Sequence, residues 1–356
     1  MSLATSYDTA LLDLDGTVYL GDAVIDHVPE ALTAAKAAGM ATIFVTNNAS
    51  RPPSEVAEAL VHMGIQATPD DVLTSPQVAA DMLSQAHPKG SPVLVVGAPY
   101  LHDAVTAVGL EPVRLAADKP VAVVQGHSPD TGWKQLAEAS IALRTGADWV
   151  ACNTDATLPT DRGLLPGNGA MVAALVTATG LHPRVAGKPA RPLLDTAIAR
   201  SGAKRPLVIG DRLDTDIEAA SAAGLPALMP LTGVNNAADL LTAPANRRPT
   251  YVCLDLRGLT EPELVVALPD PAGRARKAID ASAVQTEWIV SRDGAVLTLS
   301  STRSSESSVA ADHDSATLRA LAALLTAAWE QSDSPRVIAD GELATAVLAR
   351  LGIPQR

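Results

Sequence analysis

The chain has 356 residues, 47% of them apolar, 19% charged and only 3% aromatic, a length that predicts two or three domains with ample core. Its 27 basic and 39 acidic residues give a formal charge of −12, and with no long Lys/Arg run it is ill suited to bind nucleic acid. Cys152 and Cys253 are too few for a disulfide framework and read as buried free thiols. No apolar run is long enough for a bilayer, and the first basic residue, Lys36, comes too late for a secretory signal. The expectation is a soluble, cytosolic globular protein.

Short β-branched runs alternate with Ala-rich helical stretches through the first two-thirds of the chain. Residues 9–14 read as a buried strand, 29–38 as a helix stopped by Gly39, 41–46 as the next strand and 52–63 as a helix closed by Gly64. Further strands are expected at 92–96, 121–124, 149–152 and 206–209, with helices over 133–143, 169–178, 189–199 and 214–223. Continuous apolar strands followed by helices imply βαβ units: a Rossmann-like, doubly wound parallel sheet of the α/β class. After about residue 256 the pattern changes. Residues 288–291 and 295–299 flank Asp293-Gly294, a hairpin signal. A Ser-rich loop follows over 300–308, then helices over 315–330 and 341–351, together a small C-terminal α+β module.

The strongest local signal is Leu11-Leu-Asp13-Leu-Asp15-Gly16-Thr17-Val18. An apolar strand delivers two carboxylates two residues apart, and ligands of open α/β sheets bind beyond the C-terminal strand ends. Gly16 permits the turn that lets both acids face one centre; the same letters also suit an ordinary strand followed by an Asp-Gly turn. Three more segments end apolar strands. Phe44-Val-Thr46-Asn47-Asn48 offers a hydroxyl and backbone N–H groups, as a phosphate cradle or as a plain helix cap. Val185-Ala-Gly187-Lys188-Pro189 places a lysine before a helix, to neutralise phosphoryl oxygens or simply to be solvated. Gly210-Asp211-Arg-Leu-Asp214-Thr-Asp216 supplies three acids, as metal ligands or as a helix start. The four together, in this order, favour one chemical centre.

Asp13-x-Asp15-Gly-Thr, Thr46-Asn-Asn, Gly187-Lys188-Pro and Gly210-Asp211-(x)4-Asp216 resemble the four motifs of the haloacid dehalogenase-like superfamily. The pattern is similar to its NagD-like branch, the C2-capped phosphatases acting on 4-nitrophenyl phosphate, phosphoglycolate and glycerol phosphate. Cys152-Asn153-Thr-Asp155-Ala-Thr-Leu-Pro159, with Gly163, Pro166-Gly167 and Gly169, resembles that branch's cap-to-core segment. The likeness spans residues 7–256. One departure is Gly126-His127-Ser128-Pro129, where the branch usually has Asp at the position of Ser128.

The resemblance implies a catalytic core of residues 1–86 and 185–256, a C2-type cap over 87–184 that sets specificity, and an appended module, 257–356, of unknown role. It implies that Asp13 attacks phosphorus to form an aspartyl-phosphate and that Asp15 protonates the leaving alcohol and then activates water. Mg²⁺ is the implied cofactor, held by Asp13, the Asp15 carbonyl and Asp211, with Asp216 orienting a bound water or Lys188 rather than touching the ion. Thr46 and Lys188 are expected to act on the phosphoryl oxygens with the Asn47 N–H. Asn47, Asn48, Asn153, Asp155 and the loop 166–168 are expected to face substrate. The expected activity is Mg²⁺-dependent hydrolysis of a small phosphomonoester such as glycerol 3-phosphate or 2-phosphoglycolate. The competing reading is a phosphometabolite-binding regulator with a slow core and a sensing C-terminal module. Neither nucleic acid nor membrane is an expected partner, and a homo-oligomer is left open. Arg247-Arg248 and Arg274-Ala-Arg276-Lys277 read as solvated loop faces, and the scattered histidines lack zinc-ligand spacing.

Overall fold

The computed structural model describes residues 1–160, 162–269, 287–302, 313–331 and 334–355. They form two compact units, residues 1–42 with 203–356 and residues 43–202. The basic cluster at 274–277 and most of the Ser-rich stretch lie outside the described residues.

In the first unit five strands lie in the order Val265–Ala267, Tyr251–Cys253, Ala227–Pro230, Pro206–Ile209, Thr9–Leu12. Four run parallel, and only Val265–Ala267 is antiparallel to its neighbour. Residues of Thr9–Leu12, Ala227–Pro230 and Tyr251–Cys253 are all buried, as strands covered on both faces must be. The register Thr9↔Pro206 to Leu12↔Ile209 brings the next residues, Asp13 and Gly210-Asp211, to one edge. The Asp13 N–H donates to the Ile209 carbonyl at 2.8 Å and carries the ladder one residue further. Immediately after Asp15 comes a small hairpin, Tyr19–Leu20 with Ala23–Val24, which the sequence pattern did not announce. The helix expected over 214–223 opens with a π-type turn at Leu213–Ile217 before Glu218–Ala223.

The C-terminal module carries the expected hairpin, Trp288–Asp293 with Val296–Ser301, turned by Gly294 at φ +55°. A third strand, Arg336–Asp340, pairs parallel to Val296–Ser301, and helices His313–Trp329 and Glu342–Arg350 complete it. Named contacts tie it to the rest of its unit. The Trp329 indole N–H donates to the Leu240 carbonyl at 2.9 Å, and the Arg248 guanidinium lies 4.9 Å over the Trp329 ring. Arg247 pairs with Glu218 at 2.8 Å. Arg247-Arg248 is therefore not a merely solvated face: one member is a packing anchor, because an arginine can bury its planar group on an aromatic while its N–H groups find carbonyls. Arg257 bridges Asp255 at 2.6 Å and Asp314 at 3.2 Å, and Asp314 also pairs with Arg350.

In the second unit the strand Ala41–Thr46 pairs parallel with Val72–Thr74. Helices Pro53–His62, Ser75–Ala86 and Pro192–Ser201 accompany this pair, and Arg200 donates to the Val72 carbonyl and to Asp70, both at 3.3 Å. A separate all-parallel sheet has the order Arg184–Val185, Asp148–Ala151, Ala122–Gln125, Pro92–Val96, Glu111–Val113. One face is covered by helices Trp133–Arg144 and Asn168–Thr179, which enclose Leu94, Val96, Val123, Trp149, Val172 and Leu175. Cys152 and Cys253 are buried free thiols, as expected, and burial pushes both thiols up. Among the described residues no helix is long and apolar enough to cross a membrane.

The Asp255–Arg257 pair makes one fold contact pH-dependent. Burial raises the Asp255 carboxyl, but hydrogen bonds and charge from Arg257 outweigh it and hold the group below its ordinary value. A carboxyl depressed in the folded state stabilises above its unfolded pKa and loses that stabilisation as pH falls through the folded one. Asp255→Asn should therefore lower stability at pH 7 by on the order of 1 kcal/mol. The gap from the wild type should narrow in urea titrations repeated below about pH 4.

Candidate active site

The chemistry of the first unit gathers at the edge reached by Asp13 and Asp211. Carboxylate oxygens of Asp13, Asp211 and Asp216 all lie within 4.8 Å of one another, and all three residues are buried, 9%, 0% and 1% exposed. Asp211 accepts from the Val234 N–H at 2.6 Å and from the Thr17 hydroxyl at 3.5 Å. Asp216 accepts from the Arg212 N–H at 3.2 Å and the Thr215 hydroxyl at 3.3 Å. The third acid of that segment, Asp214, turns away and is held by both ends of the Arg212 guanidinium at 3.0 Å. Burial raises Asp214, but Arg212 outweighs it and the carboxyl sits below its usual range.

Glycines make the cluster possible. Gly16, at φ +84°, lies so close to Asp211 that a Cβ would run into its carboxylate, and Gly233 presses on the same group from another loop. Gly210 stands in the same relation to Asp216. The Thr232 hydroxyl donates to the Gly16 carbonyl at 2.7 Å and locks the two loops together. The loop 232–234 escaped the sequence reading. Its signal is the apolar run Ala227–Pro230 followed by Leu231-Thr232-Gly233, the same strand-then-glycine grammar as the other segments.

Asp13 and Asp15 do not share an environment. Asp13 is buried in the cluster, whereas Asp15 is exposed and its carboxylate is not part of it. Asp216, expected to stand behind the other acids, belongs to the cluster by distance. The donor set is all carboxylate oxygen, which suits a hard divalent cation of the Mg²⁺ or Ca²⁺ type rather than zinc.

The second unit groups the remaining expected residues. Thr46 is buried at the end of its strand, and its hydroxyl oxygen accepts from the Asn48 N–H at 3.0 Å. Lys188 is 2% exposed and its ammonium donates to the Val45 carbonyl at 3.2 Å. The Asn47 and Asp155 side chains bond to each other, Nδ2 to the carboxylate oxygens at 3.2 and 3.4 Å. Asn153 is buried, with its amide donating to the Asn47 carbonyl at 2.7 Å. Asn168, at the end of the loop 166–168, is 2% exposed and donates to the Asn153 carbonyl at 2.7 Å. Asn48 caps its own turn by accepting from the Ser50 N–H at 2.9 Å. Several residues expected to face substrate thus spend their polar groups inside the protein.

The haloacid dehalogenase-like hydrolase profile matches residues 10–111, and a second HAD-hydrolase-like profile matches residues 185–259. The chain is 54% identical over 271 residues, 76% of each chain, to D-glycerol 3-phosphate phosphatase of Mycobacterium tuberculosis. It superposes with a TM-score of 0.85 and 46% identity on the crystal structure of glycerol phosphate phosphatase from Mycobacterium tuberculosis in complex with magnesium, covering 99% of both chains. A 4-nitrophenylphosphatase from Thermotoga maritima matches at TM-score 0.68 and 28% identity, over 73% of this chain and 98% of that one. The chain belongs to the haloacid dehalogenase-like hydrolases. Within them it is a phosphoric monoester hydrolase, as its named relatives are. The likeness to the first structure runs on through the last hundred residues, beyond the span that the four motifs cover.

Gly233→Ala should lower the unfolding free energy by about 1–3 kcal/mol through overpacking. It should also abolish any rise in melting temperature that a divalent cation gives the wild type. An alanine variant with unchanged stability and an unchanged cation response would show that the Gly233–Asp211 contact does not shape the cluster.

Proposed function

We propose that the protein hydrolyses a small phosphomonoester of the glycerol 3-phosphate or 2-phosphoglycolate type, with Mg²⁺, through an aspartyl-phosphate. The observation that carries this is the buried Asp13–Asp211–Asp216 cluster at the C-terminal edge of a parallel sheet. Three buried carboxylates so close together repel one another, and a divalent cation relieves that repulsion. Asp13, Asp211 and the Asp15 carbonyl would hold the ion, with Asp216 positioned to orient its water or to add an oxygen. The ion would screen an anionic nucleophile from a dianionic phosphate. The relatives named as glycerol phosphate phosphatase, one of them solved with magnesium, support the same reading.

The protein's own residues then divide the reaction. A carboxylate oxygen of Asp13 attacks phosphorus and the P–O ester bond breaks, while Asp15 gives its proton to the leaving alkoxide. Water next attacks the aspartyl-phosphate, Asp15 takes a proton from it, and phosphate leaves with Asp13 restored. A buried nucleophile and an exposed acid suit this division, since Asp13 must stay ionised while Asp15 passes a proton to the alcohol and takes one back from water. Thr46 and Lys188 are assigned to the phosphoryl oxygens, and residues 87–184 to the cap that sets specificity. The relatives are named as phosphatases, which speaks for the enzyme over the regulator. The acidic charge favours a free metabolite over nucleic acid as the partner, and the cytoplasm is the proposed location.

Phosphate release should be measured on glycerol 3-phosphate and 2-phosphoglycolate, with and without Mg²⁺. Activity should require the metal, and Asp13→Asn should remove it, a loss of at least 10³-fold expected for a missing nucleophile, at a metal-free melting temperature no lower than the wild type's, since one repelling charge is gone. Turnover that survives in Asp13→Asn would overturn the covalent mechanism. Turnover of neither substrate by the wild type would overturn the substrate class.

A further inference from the structure

We infer that the Asn47 side chain is a positioning group for Lys188, with Asp155 as its orienting partner, rather than a ligand of substrate; this deepens the phosphatase reading and rests on it. The Asn47 carboxamide pairs with both peptide groups of one residue: its Oδ1 accepts the Lys188 N–H at 2.8 Å and its Nδ2 donates to the Lys188 carbonyl at 2.9 Å. A side chain here imitates a neighbouring strand and fixes the peptide planes on both sides of the Lys188 Cα. The remaining Nδ2 hydrogen goes to the Asp155 carboxylate at 3.2 and 3.4 Å, a charge-assisted bond. Both donors of the amide are therefore committed inside the protein, and a primary amide has only two. The orientation of the amide follows as well, because a flip would turn its oxygen toward a carboxylate and a carbonyl.

The backbone of Asn47 is held as firmly as its side chain. Its carbonyl accepts the Ser75 hydroxyl at 2.9 Å and the Asn153 amide at 2.7 Å, one for each lone pair. Asn168 in turn grips the Asn153 carbonyl, so three asparagines link the segments 46–48, 153–155 and 187–188. Glycines again clear the space. A Cβ on Gly187 would strike Asn47 Oδ1 and stand 2.6 Å from the Cys152 carbonyl, while Gly167 and Gly169 press on the carbonyls of Asp155 and Thr154. The Lys188 ammonium then lies back on the Val45 carbonyl at 3.2 Å, beside the strand that delivers Thr46. An ammonium on a four-carbon stem has many rotamers, so fixing its backbone on both sides is what confines where its charge can go.

The test is a double-mutant cycle on the full chain, assayed with the substrate found active above and with melting temperatures recorded for every variant. Asn47→Ala should lower kcat/KM by about 10²-fold, the size a misplaced catalytic group costs, with the loss mainly in kcat. Added to Lys188→Ala it should cost nothing further, because Asn47 acts through that lysine. Asp155→Asn leaves an acceptor for the Asn47 amide but removes the charge; it should cost about tenfold, and this loss too should vanish in the Lys188→Ala background. If Asn47→Ala does not fold, the Asp155→Asn cycle decides alone. Additive losses, or a change confined to KM, would overturn the positioning role. Asp13→Asn separates the two claims: if it stays inactive while the cycle is additive, the phosphatase reading stands and this inference falls.

Discussion

The unit that holds Asp13 is organised around an electrostatic constraint: three carboxylates share a buried volume in which any two of them lie within 4.8 Å. Two unit charges about 4 Å apart repel by about 4 kcal/mol at the effective dielectric of a protein near its surface. Positive groups brought to such a cluster offset that repulsion, and the sheet edge supplies some of them in the Val234 and Arg212 N–H groups. Under the proposed function a divalent cation, suited to an oxygen-only donor set, would add to them. The same constraint explains why Asp214 is diverted onto Arg212: a fourth charge in that volume would have no partner.

The second requirement is room. Carboxylates this close to a backbone leave no space for a Cβ, and Gly16, Gly210 and Gly233 stand where one would collide. In the other unit, Gly167, Gly169 and Gly187 perform the same service for a network of amides around Asn47. The two units thus solve different problems with one device. In one, glycine admits charge close to backbone; in the other, it lets side-chain amides replace strand neighbours and hold a loop that no ladder reaches.

The C-terminal module makes named contacts with the rest of its own unit through Trp329, Arg248, Arg257 and Asp314. These are directional contacts, a buried indole N–H on a carbonyl and a guanidinium between two carboxylates, and they specify one seating. Its helix His313–Trp329 also packs against the strand Val265–Ala267.

Much of this was legible before any coordinates. Asp13 and Asp211 could be placed together because each closely follows a continuous apolar strand, and parallel strands share a C-terminal edge by construction; that Asp216 joins them rather than standing behind came from the turn at Leu213–Ile217. The strands at 9–12, 41–46, 92–96 and 206–209 were readable because burial on both faces leaves a nearly unbroken apolar run. Short or mixed elements were not: the hairpin at Tyr19–Val24 is half exposed and carries no period, and Val72–Thr74 is too brief to register. Nor can sequence tell an asparagine that binds a ligand from one that binds a neighbouring loop, since both present the same amide. Asn47, Asn153 and Asn168 were therefore read as facing substrate, and only the tertiary structure showed their amides donating to groups of the protein itself. One-dimensional pattern determined which residues reach the sheet edge, because strand direction and burial are local properties. Which polar groups remain available there was decided by contacts between segments a hundred residues apart.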